Sequence, residues 1–236
     1  MYALQVEKLS KYFGPYTALK AIDLELREGE FVSVLGPNGA GKTTLIKVVA
    51  TISRPSKGEI YIQGHNINRN GRGARSNIGM VGHQSFLYDH LTAYENLRFT
   101  GKMYGIRHLE DRINEVIEQV GLRKRLHDRV GILSRGMQQR LSIARAVLHD
   151  PPIMLLDEPE TGLDQQSVSM LNEMLKGFAS GKRTMLMTTH NLDQALDLSD
   201  RVIILHKGRI TGEEYRQSLN IEALRDKYHL CTGASY

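Results

Sequence analysis

The chain has 236 residues, of which 41% are hydrophobic and 24% charged, proportions that are ordinary for a globular protein of one sizeable domain. Its apolar runs are far shorter than the roughly 18 residues that cross a bilayer, and its first residues lack the apolar stretch of a signal peptide. A single cysteine, Cys231, excludes an internal disulfide framework. We therefore expect a cytoplasmic protein.

The net charge of +5 has three explanations: a generic basic surface, proximity to an acidic membrane leaflet, or a nucleic-acid partner. The basic residues are scattered, with short runs only at 69–75 and 123–125. Scattered charge favours the generic surface, and we expect no nucleic-acid partner.

The apolar pattern predicts short strands separated by turns and helices. A turn at 27–30 follows the second strand, and a helix over 42–51 follows the third. The last strand continues into an antiparallel hairpin over 208–214. The predicted strands cover 4–9, 21–26, 31–35, 58–64, 77–84, 152–158, 183–190 and 201–208.

Between 87 and 150 the apolar period changes to 3.6 residues, which is typical of amphipathic helices. One such helix face carries Ile113, Val116, Ile117 and Val120. Buried strands that alternate with helices indicate a parallel sheet covered on both faces. We predict a single α/β domain over 1–236. Residues 1–86 and 151–236 form a core with a mostly parallel sheet and an N-terminal antiparallel β subdomain, and 87–150 forms an inserted helical subdomain.

The stretch "GPNGAGKT" at 36–43 has the spacing of a P-loop, and it lies between a predicted strand and a predicted helix. Its glycines let backbone N–H groups converge on phosphate oxygens. Lys42 would contact the β- and γ-phosphates, and Thr43 would bind Mg²⁺ through its hydroxyl. The predicted nucleotide contacts are Gly36, Pro37, Asn38, Gly39, Ala40, Gly41, Lys42, Thr43 and Thr44.

The run "IMLLDE" at 153–158 ends a buried strand in two acids, at the sheet edge where α/β folds bind ligands. A strand-end cap would also explain the acids. Beside a P-loop, we predict that Asp157 holds magnesium and that Glu158 activates the attacking water.

The stretch "LSRGMQQR" at 133–140 precedes a helix predicted to begin near Arg135. Ser134 and Gly136 therefore lie where backbone N–H groups are free and the helix dipole favours an anion. Because the P-loop already provides one phosphate site, this second one is surplus unless it binds a nucleotide on another molecule. The alternative explanation of Ser134 is a simple N-cap.

These motifs, in this order, resemble the ATP-binding cassette (ABC) ATPases, whose signature sequence corresponds to 133–137. The resemblance implies head-to-tail pairing of two cassettes, with each ATP between one P-loop and the other signature helix. It also implies ATP and Mg²⁺ as cofactors. The further residues that it assigns are Phe13 (adenine), Gln84 (magnesium and attacking water), Asp164 (dimer-interface loop) and His190 (γ-phosphate).

Each of these residues also has an ordinary structural explanation. Phe13 fits a core aromatic, with Tyr12 and Tyr16 as substitutes at the adenine. Gln84 fits a surface amide, and His190 fits a strand-end histidine. The signature itself departs from the family's Leu-Ser-Gly-Gly-Gln, because Arg135 and Met137 replace a glycine and the glutamine; Met137 cannot donate the glutamine's hydrogen bond.

The resemblance implies an ATPase subunit on the cytoplasmic face of the membrane, which pairs with a membrane-spanning transporter subunit and with a second cassette. We expect the second cassette to be an identical copy, with a different cassette as the alternative. Five aromatics between Phe86 and Tyr104 fit a docking surface for that subunit, or the core of the helical subdomain. The motifs are most similar to the haem-exporter ATPase of cytochrome c maturation, and next to drug or polysaccharide exporters. A soluble ATPase for iron–sulfur assembly is the alternative.

Overall fold

The protein contains a six-stranded sheet with the strand order β10-β9-β3-β8-β7-β6, in which only β10 is antiparallel to its neighbour. The computed structural model describes residues 1–67, 71–82, 85–181 and 183–233, apart from the side chains of Arg72 and Ser218. The strands of this sheet are β3 (Phe31–Leu35), β6 (Ile78–Val81), β7 (Ile153–Asp157), β8 (Thr184–Thr189), β9 (Arg201–His206) and β10 (Arg209–Tyr215).

The central strands β3, β7 and β8 are buried along their whole length. Their continuous apolar sequences follow from this burial, since helices cover both faces of the sheet. The predicted α/β class with a mostly parallel sheet is confirmed, as is the antiparallel hairpin of β9 and β10.

A second, antiparallel sheet has the order β2-β1-β4-β5, as the predicted N-terminal β subdomain requires. Its first two strands are twelve residues each, so the strands predicted at 4–9 and 21–26 were too short. The pairing shifts register at several points, and such bulges interrupt the alternation on which the prediction rested. The strands are β1 (Tyr2–Phe13), β2 (Tyr16–Arg27), β4 (Lys57–Ile62) and β5 (His65–Asn66).

Eight α-helices are found in the described residues, and no bounds were predicted for those over 71–76, 165–180, 192–198 and 221–232. The helix predicted near Arg135 begins at that residue. The helices are α1 (Lys42–Val49), α2 (Gly71–Ser76), α3 (Ala93–Tyr104), α4 (Leu109–Gln119), α5 (Arg135–Val147), α6 (Gln165–Ser180), α7 (Leu192–Leu198) and α8 (Ile221–Thr232).

Helices α3, α4 and α5 share one hydrophobic cluster with the sheet. The predicted α4 face is buried in it, together with Phe31 of β3 and Met154 of β7. Helix α5 lies against β6, where the Arg145 guanidinium donates to the Met80 carbonyl at 2.9 Å. The helical segment is therefore packed onto the edge of the sheet that carries β6.

Gly79 of β6 tests this packing, because an added Cβ would lie 2.5 Å from the Ala146 carbonyl oxygen of α5. We predict that Gly79→Ala lowers the free energy of unfolding by about 1–3 kcal/mol, the usual cost of overpacking. The control is Gly177→Ala in α6, where the Cβ would meet open space and should stabilise the helix by about 0.5–1 kcal/mol. Urea denaturation measures both; equal stability of the two variants would contradict the packing.

Candidate active site

A pocket of about 630 Å³ opens where β3 and β7 end. It is lined by the P-loop from Pro37 to Thr44, by Phe13 and Tyr16 of the antiparallel sheet, and by the acids Asp157 and Glu158. The sheet edge that α/β folds use for ligands thus meets the β subdomain here. The volume lies in the range of small-molecule and cofactor sites.

The P-loop backbone fits a phosphate cradle. Gly41, the residue before α1, has a φ of +111°, and an added Cβ would lie 2.8 Å from the Ala18 carbonyl oxygen. Only glycine fits such a position without strain. The loop therefore delivers the free N–H groups and the positive dipole end of α1 to the pocket.

Lys42 is a buried cation, with only 5% of the residue exposed. Its Nζ donates to the Gly36 carbonyl at 2.6 Å and lies 3.1 Å from Glu158 Oε1. A buried charge needs such partners, because its desolvation is otherwise uncompensated. The pairing joins the P-loop to the end of β7.

Asp157 is held by two hydroxyl groups. Its Oδ1 accepts from Thr43 at 3.1 Å and from Thr188 of β8 at 2.8 Å. Hydroxyl and carboxylate oxygens are ligands that magnesium prefers, and the ion usually takes its other ligands from water and phosphate. Thr43 and Asp157 therefore fit a magnesium ion that also contacts a nucleotide.

Glu158 follows Asp157 in a left-handed backbone conformation, with a φ of +47°, which costs free energy in a non-glycine residue. This conformation is held by the Glu158 N–H, which donates to the Thr188 carbonyl at 3.0 Å. Its Oε2 lies 3.8 Å from Nδ1 of the half-exposed His190. The carboxylate therefore lies between the two basic groups Lys42 and His190.

The aromatic side of the pocket contains Phe13 and Tyr16, and both are more than half exposed, at 52% and 57%. Phe13 is therefore not a core residue, which was the alternative explanation of this aromatic. The Lys11 ammonium lies 5.0 Å from the Phe13 ring centroid, and the Tyr16 hydroxyl is 3.5 Å from the Gly39 carbonyl oxygen.

Ser134 and Gly136 lie outside the lining of this pocket, at the start of α5. The Ser134 hydroxyl accepts from the Met137 N–H at 3.3 Å, so it is an N-cap, as the alternative explanation required. Gly136 packs closely on the start of α6, where an added Cβ would lie 2.5 Å from Ser167 Oγ. The Met137 side chain packs against the helical core.

Asp164 is the N-cap of α6, because its Oδ1 accepts from the Ser167 N–H at 2.7 Å. This hydrogen bond lowers the pKa of the Asp164 carboxyl. In the preceding loop, an added Cβ on Gly162 would lie 2.8 Å from the Arg135 guanidinium carbon. The starts of α5 and α6 therefore form a second cluster, defined here as the signature cluster: Ser134, Arg135, Gly136, Gly162, Asp164 and Ser167.

The structure thus separates the predicted residues into the nucleotide pocket and the signature cluster, with His190 beside Glu158 but outside the pocket lining. Gln84 lies outside the described residues. Sequence reasoning missed three polar residues near the acids: Thr188, Thr189 and Glu160. The signal was visible, since "TMLMTTH" ends a buried apolar strand in two hydroxyls.

The comparisons with known proteins agree with this geometry. The family model described as "ABC transporter" matches residues 19–161, more than half of the chain. The chain belongs to the ABC transporter ATP-binding family. It is an ATP-binding subunit of an ABC transporter and an ATPase.

Several ABC relatives match over most of the chain. The ABC transporter ATP-binding protein NatA of Bacillus subtilis is 38% identical, covering 86% of this chain and 83% of NatA. The linearmycin resistance ATP-binding protein LnrL of the same organism is 38% identical, covering 88% of this chain and 67% of LnrL. The daunorubicin resistance ATP-binding protein DrrA3 of Streptomyces coeruleorubidus is 34% identical, covering 95% of this chain and 72% of DrrA3.

Solved ABC cassettes share the whole fold. A dimeric post-hydrolysis cassette bound to ADP and Pi is 30% identical, with a TM-score of 0.82 over 92% of this chain and all of the other. An ATP-binding subunit is 30% identical, with a TM-score of 0.83 over 99% and 95%. ABC subunits of this kind dimerise and work with membrane components. In the described part of this chain, no helix has the length and apolar character to span a membrane.

Lys42→Ala tests the P-loop assignment. We predict a loss of ATP affinity of about ten- to hundredfold, because the change removes a charge-assisted contact worth about 1.5–3 kcal/mol. Fluorescence titration with ATP measures the affinity, and thermal melting verifies the fold. The control is Lys57→Ala on the exposed start of β4. Unchanged affinity in folded Lys42→Ala would rule out the assigned role.

Proposed function

We propose that this ATPase drives the export of an antibiotic-like compound through a membrane-spanning partner subunit, on whose cytoplasmic side it binds. The names of the two resistance relatives support the direction and the cargo class. The observation that carries the ATPase chemistry is the Lys42–Glu158 pair at 3.1 Å, beside the Thr43–Asp157 hydrogen bond at 3.1 Å. The relatives described above do not support the predicted haem export, and they do not favour the iron–sulfur alternative.

The nucleotide would lie along the pocket, from the aromatic side to the acids. Phe13 would stack on adenine, and its exposed ring has Tyr16 beside it as a second surface. The N–H groups of the P-loop and Lys42 would bind the triphosphate. Thr43 and Asp157 would hold the magnesium ion, which would neutralise phosphate charge when bound; Gln84 is proposed as a further ligand.

Glu158 would act as the general base for the attacking water. A γ-phosphate near Lys42 would compete with the Glu158 carboxylate for the same ammonium group. Binding of ATP would therefore release Glu158 toward the water, while His190 would contact the γ-phosphate. The left-handed backbone at Glu158 keeps its side chain close to both basic groups.

Glu158→Gln separates binding from chemistry. We predict that hydrolysis slows by about 10²–10⁴, the usual contribution of a positioned base. ATP affinity should be equal to or higher than that of the unmodified chain, since a neutral amide competes more weakly than a carboxylate for the Lys42 ammonium. Single-turnover hydrolysis and ATP titration measure the two effects, with Glu173→Gln on the exposed side of α6 as the control. Hydrolysis at the unmodified rate would remove Glu158 from the mechanism.

The signature cluster is proposed to bind the γ-phosphate of a second cassette. The starts of two helices meet there, and Asp164 already caps α6 while the first turn of α5 contains no acidic residue. Arg135 is exposed, and its guanidinium lies against the backbone of Gly162. The cluster thus presents a positive helix end and a cation, which suits an anion supplied from outside the chain.

A mixing experiment tests this cross-subunit arrangement. Ser134→Arg should abolish hydrolysis and leave ATP binding to the same chain intact, because arginine obstructs only the partner's phosphate. Mixing Ser134→Arg with Lys42→Ala places both defects in one composite site, so the opposite site contains two intact halves. We predict partial recovery of ATPase activity in the mixture, measured against each variant alone.

Asn220→Arg is the matched control, since it removes the N-cap of α8 outside both sites. It should reduce stability by about 1 kcal/mol and leave turnover per folded molecule unchanged. If Ser134→Arg retains activity as this control does, Ser134 is only an N-cap. Retained activity would therefore contradict the cross-subunit site.

The docking surface for the membrane subunit is proposed to lie on the aromatic segment 86–104, at the junction of the α/β core (1–86 and 151–236) and the helical subdomain (87–150). Four of its five aromatics are about half exposed: Phe86, Tyr88, Phe99 and Tyr104. Tyr88 and Phe99 contact each other edge to face at 5.6 Å. Such half-exposed aromatics are typical of interfaces rather than of a core alone.

A further inference from the structure

A buried carboxyl group lies next to the proposed chemistry without taking part in it. Glu160 follows Glu158 by two residues and is only 7% exposed. Its Oε1 is hydrogen-bonded to Thr189 Oγ1 at the end of β8. Its Oε2 has no hydrogen-bond partner in the part of the chain that the structure describes.

The hydrogen bonds around Thr189 require a definite number of protons, because each bond needs one donor and one acceptor. Thr189 Oγ1 accepts from the Asn191 N–H at 2.9 Å and lies 3.1 Å from Gln194 Oε1. The Gln194 amide is oriented by its Nε2, which donates to Asn172 Oδ1 at 2.8 Å. Thr189 has one hydroxyl proton, and both Gln194 Oε1 and Glu160 Oε1 adjoin it.

A neutral Glu160 resolves this competition. If Thr189 donates its proton to Gln194, the carboxyl O–H of Glu160 donates to Thr189 Oγ1, and each of the three contacts of this hydroxyl then has one proton. An ionised Glu160 would leave one acceptor without a donor in a buried site, which is costly. The titratable groups that face Glu160 are Glu158 and His190. Burial raises the pKa of the Glu160 carboxyl, in agreement with the proton count.

We propose that Glu160 is a positioning residue that acts in its protonated form. Its bond to Thr189 connects the turn after β7, which carries Glu158, to the start of the turn that carries His190. The network continues through Gln194 of α7 to Asn172 of α6. The inference rests on the proposed roles of Glu158 and His190, since it concerns how these two groups are held together.

The test compares Glu160→Gln and Glu160→Ala with the unmodified chain, measuring kcat and KM for ATP from pH 5 to 9. Gln is a neutral amide of the same shape that can donate to Thr189, so Glu160→Gln should retain kcat within about twofold at the acid end. Glu160→Ala removes the connection and should lower kcat by about ten- to hundredfold, as misplaced catalytic groups do. KM should change little.

The pH dependence separates protonation from simple packing. The network of the unmodified chain is complete at low pH and is lost as the pH rises through the raised pKa of Glu160. The ratio of kcat for Glu160→Gln to kcat for the unmodified chain should therefore rise with pH. The folded chain binds the Glu160 proton more tightly than the unfolded chain, so the unmodified chain loses stability as the pH rises through this pKa. The melting temperature of Glu160→Gln, relative to that of the unmodified chain, should therefore rise with pH as well.

Three results would overturn the proposal. If Glu160→Gln is as inactive as Glu160→Ala at every pH, Glu160 is ionised and accepts from Thr189. The side-chain amides of Gln194 and Asn172 then have their oxygen and nitrogen atoms exchanged. Normal kcat in folded Glu160→Ala would remove its positioning role, and a ratio independent of pH would show that Glu160 does not titrate. Glu158→Gln is measured in parallel: normal hydrolysis in that variant would instead contradict the proposed function.

Discussion

The buried ammonium group of Lys42 is the constraint on which the site depends. A cation that is 5% exposed needs charged or polar partners, and here these are P-loop carbonyls and Glu158. The pairing fixes the start of α1 against the end of β7, and the Thr43–Asp157 bond connects the same two elements. A parallel sheet brings these ends to one edge, so the fold itself places the Glu158 carboxylate, the Lys42 ammonium and the oxygens of Thr43 and Asp157 together.

The nucleotide pocket and the signature cluster differ in the side chains that they offer to a phosphate ligand. The P-loop pocket has an aromatic wall, a buried cation and two acids, which together suit a whole nucleotide. The signature cluster has helix starts and the exposed Arg135 but no aromatic wall among its residues, so it suits only the phosphate end of a ligand bound elsewhere. This division is the physical reason that we propose for an assembly of two cassettes, and it agrees with the dimeric cassette of similar fold.

Local chemistry made the P-loop, the acids after β7 and the start of α5 predictable from sequence. The buried strand β3 was predicted residue for residue. The strands β1 and β2 were predicted too short, because bulges break their alternation. From the sequence, Ser134 could be an N-cap, a phosphate-binding residue or both. The structure shows that it caps α5, while its phosphate contact stays a prediction. Glu160 was missed, because its burial arises from β8 and α7, which are distant in the chain.

The central claim is that the signature cluster of one copy faces the P-loop of another when ATP is bound. The direct measurement is disulfide formation between a copy with Asn38→Cys and a copy with Ser134→Cys, both in Cys231→Ser, Glu158→Gln chains. Asn38 and Ser134 are exposed, so either can be reached by a second molecule. The account predicts a cross-linked band of twice the chain mass that requires ATP. Equal cross-linking with and without ATP, or none in demonstrated dimers, would contradict it.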